Sequence, residues 1–542
     1  MKLCEYIDKC LSDIGVKKIF GIPGSLIMPV WQNLSDKEIV LCSHEQEASY
    51  VATGYGKMTK QPVCVITTGG PGVTNCVSGI ASSNIDSVPL IYITGRTPIS
   101  KQGHGLRQEE STINRLYDSV DILKPITKTS VCIDNIVTAP QVIQNTIKMA
   151  FSHRQGAVHI SIPIDLQNEE IEPINSTSSD ITVFPTEKTI PITDRPLFIL
   201  GWGSWMSDAY EMVYLLANRV CAPVLVTSKA YCCIDKENVW FLGKLGYGYN
   251  IEIENFIKEY RPDSIVIFGS SLGEKDIGGS ILQNLVEILP AYFIADDCEH
   301  TNSYKDNIKK ITINNMKEYV AQIIGSIQTI KYNKELENLI CETGFREQNY
   351  WKKRIVSSDT MARCIDYINE VTSDDCIFFA DAGNHLSNAG ALITPKKPGH
   401  MFLDVGLRAM GTGICTAVGM ALANSSKKYI AITGDGCMLM NGNIMHLVAE
   451  KNLPVLFIVF NNHSLGRVRV GQSIMNDYRG TDINNVSYSL YAKAFGISAY
   501  VCESFLIFKE MLPNLIKAEK PVLLEVITSN DEIPIPVKGN IY

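Results

Sequence analysis

Short, wholly apolar segments rich in β-branched and aromatic residues recur along this chain, and they limit its fold more than any other feature. They lie at 63–67, 89–94, 158–162, 196–200, 223–227, 264–268, 376–380, 429–433, 454–460 and 521–527, separated by helix-length amphipathic stretches. A strand open to water on one face alternates apolar and polar residues. Continuous apolar strands imply burial on both faces, as in parallel sheets covered by crossover helices. Two stretches break the rhythm: 175–193, rich in Ser, Thr and Asp, and the charged segment 334–359, which reads as a helical connector. At 542 residues the chain exceeds what one core supports. The expected architecture is α/β, with three doubly wound parallel-sheet domains at 1–172, 190–335 and 355–535. The residues themselves show no repeat.

Composition narrows the function classes. The formal net charge is −8 and no dense basic stretch occurs, which argues against nucleic acid or anionic membrane partners. Sixteen cysteines are scattered without a CxxC, so zinc spacing is missing and free thiols in a reducing compartment are expected. The N-terminal segment has helical spacing rather than the form of a signal peptide, and no apolar run is long enough to span a bilayer. A cytoplasmic location is the expectation.

The most informative stretch begins at Tyr429. A strand runs into Gly434-Asp435-Gly436, a helical pattern follows, and a second strand ends at Asn461-Asn462. Glycines flanking Asp435 let backbone approach a phosphate, and a helix start favours an anion. Asp435 offers a hard carboxylate oxygen and Asn462 an amide oxygen, suited to Mg²⁺. A lone Gly-Asp-Gly is more often a plain turn; the strand, helix and Asn-Asn context makes it specific. Far upstream, residues 43–75 hold His44-Glu45-Gln46-Glu47, which alone reads as a surface helix, followed by the loop Thr68-Gly69-Gly70-Pro71-Gly72 and Asn75.

Together these segments resemble the thiamin-diphosphate enzymes of the pyruvate decarboxylase and acetolactate synthase type, most of all the acetolactate synthase large subunit-like family. The resemblance runs over nearly the whole chain, from Phe20-Gly21-Ile22-Pro23-Gly24 to the Asp435 block. It implies a pyrimidine-binding N-terminal domain, a central Rossmann-like domain and a C-terminal diphosphate- and metal-binding domain. Glu45 matches the glutamate that bonds the aminopyrimidine ring and so activates the cofactor. Gln108 and Lys128 match residues near the reacting centre. Gly24, Thr68, Gly70, Asn75, Gly383, Asn384, His385, Met410, Gly434, Asp435, Gly436, Cys437, Asn462, Leu465 and Gly466 match cofactor-binding positions. Met410 corresponds to the apolar wedge between the two rings, although alone it reads as a core methionine. His385 reads equally as a helix-start residue. The implied Mg²⁺ ligands are the side chains of Asp435 and Asn462 and the carbonyl of Ser464. FAD, bound structurally by acetolactate synthases, is left open here by the thin signal Gly201-Trp202-Gly203 and the acidic pair Asp296-Asp297.

The same resemblance implies an active site shared between subunits of a homodimer or tetramer, and a pyruvate-like 2-oxo acid donor. Departures lie in the acceptor region. Counted from Asn462, Arg467 stands at the family's methionine and Gly471 at its selective tryptophan, while a middle-domain arginine is replaced by Lys275 or Asp276. Arg467 then reads either as a partner for an anionic acceptor or as a solvated loop residue. The readings kept are a carboligase, including one with a keto-sugar acceptor, a simple decarboxylase, an acyltransferase to phosphate, and a catalytically silent protein of the same fold.

Overall fold

A computed structural model describes residues 1–110, 117–174, 190–278, 280–298, 308–327 and 332–538. Most of the polar stretch 175–193 lies outside the described residues. All ten apolar segments are strands, and eight further strands complete three sheets of six.

The first sheet comprises β1 (Lys18–Gly21), β2 (Glu38–Leu41), β3 (Val63–Thr67), β4 (Leu90–Arg96), β5 (Thr129–Cys132) and β6 (Val158–Pro163), in the order β2-β1-β3-β4-β6-β5. The second comprises β7 (Pro196–Leu200), β8 (Val224–Val226), β9 (Phe241–Lys244), β10 (Ser264–Phe268), β11 (Ala291–Ala295) and β12 (Ile308–Thr312), in the order β12-β11-β10-β7-β8-β9. The third comprises β13 (Cys376–Ala380), β14 (Met401–Leu403), β15 (Lys428–Gly434), β16 (Val455–Asn461), β17 (Ser498–Cys502) and β18 (Val522–Ile527), in the order β14-β13-β15-β16-β18-β17. Every neighbouring pair is parallel.

Central strands such as β3, β4, β10 and β16 are buried along their whole length, which accounts for their unbroken apolar sequence. The first and third sheets share one winding. If each is renumbered from its own first strand, both read 2-1-3-4-6-5. The second, read from its other edge, is the doubly wound order 3-2-1-4-5-6.

By contacts the chain divides into two compact units. One is Met1–Thr182 with Ile414–Ser425 and Asn441–Leu453; the other is Val183–Gly413 with Ser426–Met440 and Pro454–Tyr542. The first sheet belongs to the former, the second and third sheets to the latter. All sixteen cysteines stand outside disulfides, and only Cys341 is exposed. Among the described residues no helix is long and apolar enough to cross a membrane.

Candidate active site

In doubly wound sheets the crevice that takes a ligand opens at the carboxyl ends of the strands, where the winding changes direction. In the third sheet that point lies between β13 and β15. The register pairs Ala380 with Ile432 and Gly434 with Phe460, so the strand ends stand nearly level. The loops that leave them line one cleft, with Gly383, Asn384, His385, Met410, Gly434, Asp435, Gly436, Cys437, Asn462, Ser464, Leu465 and Gly466 among its walls. Every C-terminal candidate named from the sequence is therefore gathered there.

Asp435 is nearly buried, and its two carboxylate oxygens accept the Gly436 N–H at 2.8 Å and the Ser464 N–H at 3.0 Å. The Asn462 side-chain oxygen accepts from the same Ser464 N–H at 3.2 Å. A carboxylate and an amide oxygen thus converge on one amide hydrogen. Burial raises the pKa of Asp435, and the N–H groups of Gly436 and Ser464 oppose that rise. The loop is pinned from outside: Leu465 N–H donates to Thr481 O at 2.7 Å and Ile483 N–H to His463 O at 2.8 Å. The Ser464 carbonyl accepts the Gly466 N–H at 2.7 Å and keeps a second lone pair. Beneath, buried Glu525 accepts from Asn461 Nδ2 at 2.8 Å and Ser489 N–H at 2.9 Å, fixing the end of β16.

These atoms suit a hard divalent cation that completes its octahedron elsewhere. Among the described residues no cluster of three His, Cys, Asp or Glu exists to cage a metal alone. Mg²⁺ characteristically takes one or two carboxylates plus phosphate and water oxygens. The opposite wall fits the phosphate. Helix Asn384–Leu392 starts at the cleft with buried Asn384 and His385 at its first two positions, and the Asn384 Nδ2 and a His385 ring N–H are donors that phosphate oxygens can accept. Burial lowers the His385 pKa to about 4, so the ring is neutral at pH 7. A Cβ at Gly466 would lie 2.7 Å from Asn462 Nδ2 and 2.9 Å from Asn384 Nδ2, so a side chain there would push both amides from their present positions. Met410 is half-buried, its sulfur 3.8 Å from where a Cβ on Gly436 would stand. Cys437 donates to Ala382 O at 3.1 Å, and burial holds its thiol protonated.

Asp381, not singled out from the sequence, underlies this wall. It is buried, its pKa is pushed up to about 6 by desolvation, and it accepts from Ala382 N–H at 2.8 Å and Thr433 Oγ1 at 3.2 Å.

The N-terminal candidates gather in the other unit. Glu45 opens helix Glu45–Thr59, capped by His44, whose ring nitrogen accepts the Gln46 N–H at 3.1 Å. The Glu45 carboxylate is half-buried and accepts from Asn75 Nδ2 at 3.0 Å. Thr68 Oγ1 donates to Gln108 Oε1 at 3.2 Å, and a Cβ on Gly24 would lie 2.4 Å from the Cβ of Thr68. Gly70 adopts φ +67°, and its N–H donates to the buried Glu110 carboxylate. Glu110 was not foreseen; its neighbours in sequence, Gln108 and Glu109, gave no sign which of three polar residues turns inward.

Lys128 is a correction. It immediately precedes β5, and its N–H pairs with Ala157 O just before β6, so it stands at the amino edge of the sheet. Its ammonium is held by the Ser152 carbonyl and by Arg154 O at 2.7 Å. Glu45, Thr68 and Gln108 all follow strands at the opposite, carboxyl edge, so Lys128 does not join them. Of the pair at the middle-domain position, Asp276 accepts the Lys229 N–H at 3.0 Å, and the Lys275 side chain lies outside the described residues.

Family models match both regions. Residues 1–116 match the N-terminal TPP binding domain of thiamine pyrophosphate enzymes, and residues 381–526 match their C-terminal TPP binding domain. The chain thus carries segments similar to both TPP binding domains of thiamine pyrophosphate enzymes. It is 28% identical to the acetolactate synthase isozyme 1 large subunit of Escherichia coli, covering 98% of this chain and 95% of that one. It is 27% identical to the acetolactate synthase large subunit of Lactococcus lactis (98% and 93% covered) and 24% identical to the acetolactate synthase of Bacillus subtilis (96% and 92%). The X-ray structure of a Mycobacterium smegmatis protein assigned to the thiamin diphosphate-dependent enzymes shares the fold, with a TM-score of 0.78 at 18% identity over 98% of this chain and 99% of that one.

The second sheet bears on FAD. Its switch point lies between β7 and β10, the ordinary place for a dinucleotide. Here the glycine-bearing loops close on each other. Gly203 N–H donates to Gly269 O at 2.8 Å, and a Cβ on Gly201 would lie 2.4 Å from that same oxygen. Among the described residues these glycines serve backbone-to-backbone packing, which speaks against a pyrophosphate between them.

Proposed function

We propose that this protein is a 2-oxo acid carboligase of the thiamine pyrophosphate enzyme type that uses thiamin diphosphate and Mg²⁺. The observation that carries the reading is the convergence of the Asp435 and Asn462 side-chain oxygens in one cleft with Met410 and the buried Asn384 and His385. Asp435, Asn462 and the Ser464 carbonyl hold the metal, and the Asn384 and His385 wall receives the diphosphate. Glu45, steadied by Asn75, holds a proton at the aminopyrimidine. The thiazolium, when bound, supplies the electron sink that lets a 2-oxo acid lose CO₂ and its acyl carbon join a second carbonyl. Gln108, oriented by Thr68, lies along the Glu45 side of this chemistry. By the family resemblance two copies associate so that each site draws on both, as a homodimer or tetramer in the cytoplasm.

Incubation with pyruvate, Mg²⁺ and thiamin diphosphate tests the reading. Acetolactate or another ligated product is expected. Acetaldehyde alone would make the protein a decarboxylase, and acetyl phosphate an acyltransferase. The absence of Mg²⁺-dependent cofactor binding would leave a silent protein of the same fold.

The reading dispenses with flavin. The purified protein is expected to be colourless, and a 450 nm absorption band that stays with the protein through gel filtration would refute this.

A further inference from the structure

Beside the cofactor cleft stands a group of charges that the reaction just proposed does not use. Arg467 lines the cleft with Met410 and Asn384, and its side chain is exposed. Arg408, two residues before Met410, is half-buried and adopts φ +61°. Arginine seldom takes that backbone conformation, and such residues persist where the surroundings over-determine them, most often at functional sites. The Arg408 guanidinium lies 5.6 Å from the ring centre of Tyr247, within cation–π range. Tyr247 in turn packs on the helix that carries the phosphate wall: a Cβ on Gly390 would stand 2.5 Å from the Tyr247 Cβ. Burial raises the phenol's pKa, while Arg408 and Arg467 both pull it down, so both guanidiniums lie within electrostatic range of it. The carboxylates in the same neighbourhood are Asp276, which accepts the Lys229 N–H, and Asp404, which is buried. The arginine on the other side of Arg467 is committed elsewhere: Arg469 pairs with Asp482 at 3.4 Å and Asp531 at 3.7 Å and covers the Tyr478 ring at 4.1 Å.

Resting on the carboligase reading, we infer that Arg408 and Arg467, with the Tyr247 hydroxyl, form the recognition site for a phosphate ester on the acceptor carbonyl compound. A guanidinium offers a planar fork of donors that matches phosphate oxygens, and it stays charged at every physiological pH. Two forks and a phenol suit a dianion with three free oxygens better than the two oxygens of a lone carboxylate. Gly471 adds room on the same loop, since a Cβ there would meet nothing within 4 Å.

Calorimetry on the protein loaded with Mg²⁺ and thiamin diphosphate tests this without turnover. Dihydroxyacetone phosphate is titrated against dihydroxyacetone, and pyruvate against acetaldehyde. The phosphate ester is expected to bind about 100-fold tighter than its unphosphorylated partner, at roughly 10-fold or more for each arginine bonded. Arg408→Gln and Arg467→Gln should each remove about 10-fold of that preference, with Arg408→Lys restoring part of it, while cofactor affinity and melting temperature stay put. Equal affinity for the two triose compounds would overturn the inference, as would a preference confined to the pyruvate pair. So would a triose preference that survives both substitutions. Failure of the carboligase reading shows separately, as no product from pyruvate and any acceptor in the same preparation.

Discussion

Glu45→Gln is expected to cut turnover of a 2-oxo acid by at least about 100-fold, and up to about 10,000-fold, while leaving cofactor affinity within a few-fold of wild type. The asymmetry follows from the local structure. Glu45 is half-buried and is bonded by the Asn75 amide, whose N–H a glutamine oxygen can accept equally well. The helix start at His44 does not depend on the Glu45 side chain, so neither fold nor cap should suffer. What glutamine lacks is a titratable proton, and that is the contribution assigned to this residue. Product formation and calorimetric titration of the cofactor are to be measured on the same preparation. Wild-type turnover would remove Glu45 from the mechanism, and loss of cofactor binding would make it a positioning residue.

Asp435→Asn should produce the opposite split. The variant keeps the shape but removes the only carboxylate among the proposed metal ligands. It also turns an amide toward two backbone N–H groups that the carboxylate now accepts, those of Gly436 and Ser464. Leaving a buried donor unpaired costs about 1–3 kcal/mol, so the loop that carries Ser464 loosens together with the lost ligand. Mg²⁺-dependent affinity for thiamin diphosphate should fall about 100-fold or more, beyond the loss expected when only a group that hydrogen-bonds to a metal ligand is changed. The measurement is a cofactor titration at several Mg²⁺ concentrations. An unchanged Mg²⁺ dependence would show that the metal is held elsewhere.

The interiors of the sheets could be read from the chain, and their edges could not. Each of the ten apolar segments is a strand, yet all six edge strands went unrecognised: β2 and β5, β9 and β12, β14 and β17. An edge strand has one neighbour and often an open face, so β12 and β17 carry exposed residues at two and three positions of the kind that break an apolar run, and β14 has only three residues. β1 and β11 were missed although central, which shows that shortness or an unremarkable flank is enough to hide a strand. At the site, residues within one loop were legible because spacing along the chain fixes them. Lys128 misled because sequence does not say which edge of a sheet a residue adjoins. Arg408 was invisible for another reason: its left-handed backbone and its approach to Tyr247 join parts of the chain more than a hundred residues apart.

The common winding of the first and third sheets has a consequence for how this protein can vary. In both, the candidate residues leave the same four strands. Gly24 follows the first strand of its sheet, as Gly383 and Asn384 do in theirs; Glu45 follows the second, as Met410 does; Thr68 and Gly70 follow the third, as Asp435 and Gly436 do; Gln108 follows the fourth, as Asn462 and Arg467 do. One scaffold is used twice, with unlike chemistry mounted on matching corners. Loops can lengthen or change sequence at those eight corners without disturbing a single buried strand. New acceptors can therefore be taken up by rewriting the turn positions around Arg408 and Arg467, with Glu45, Met410, Asp435 and Asn462 left as they are.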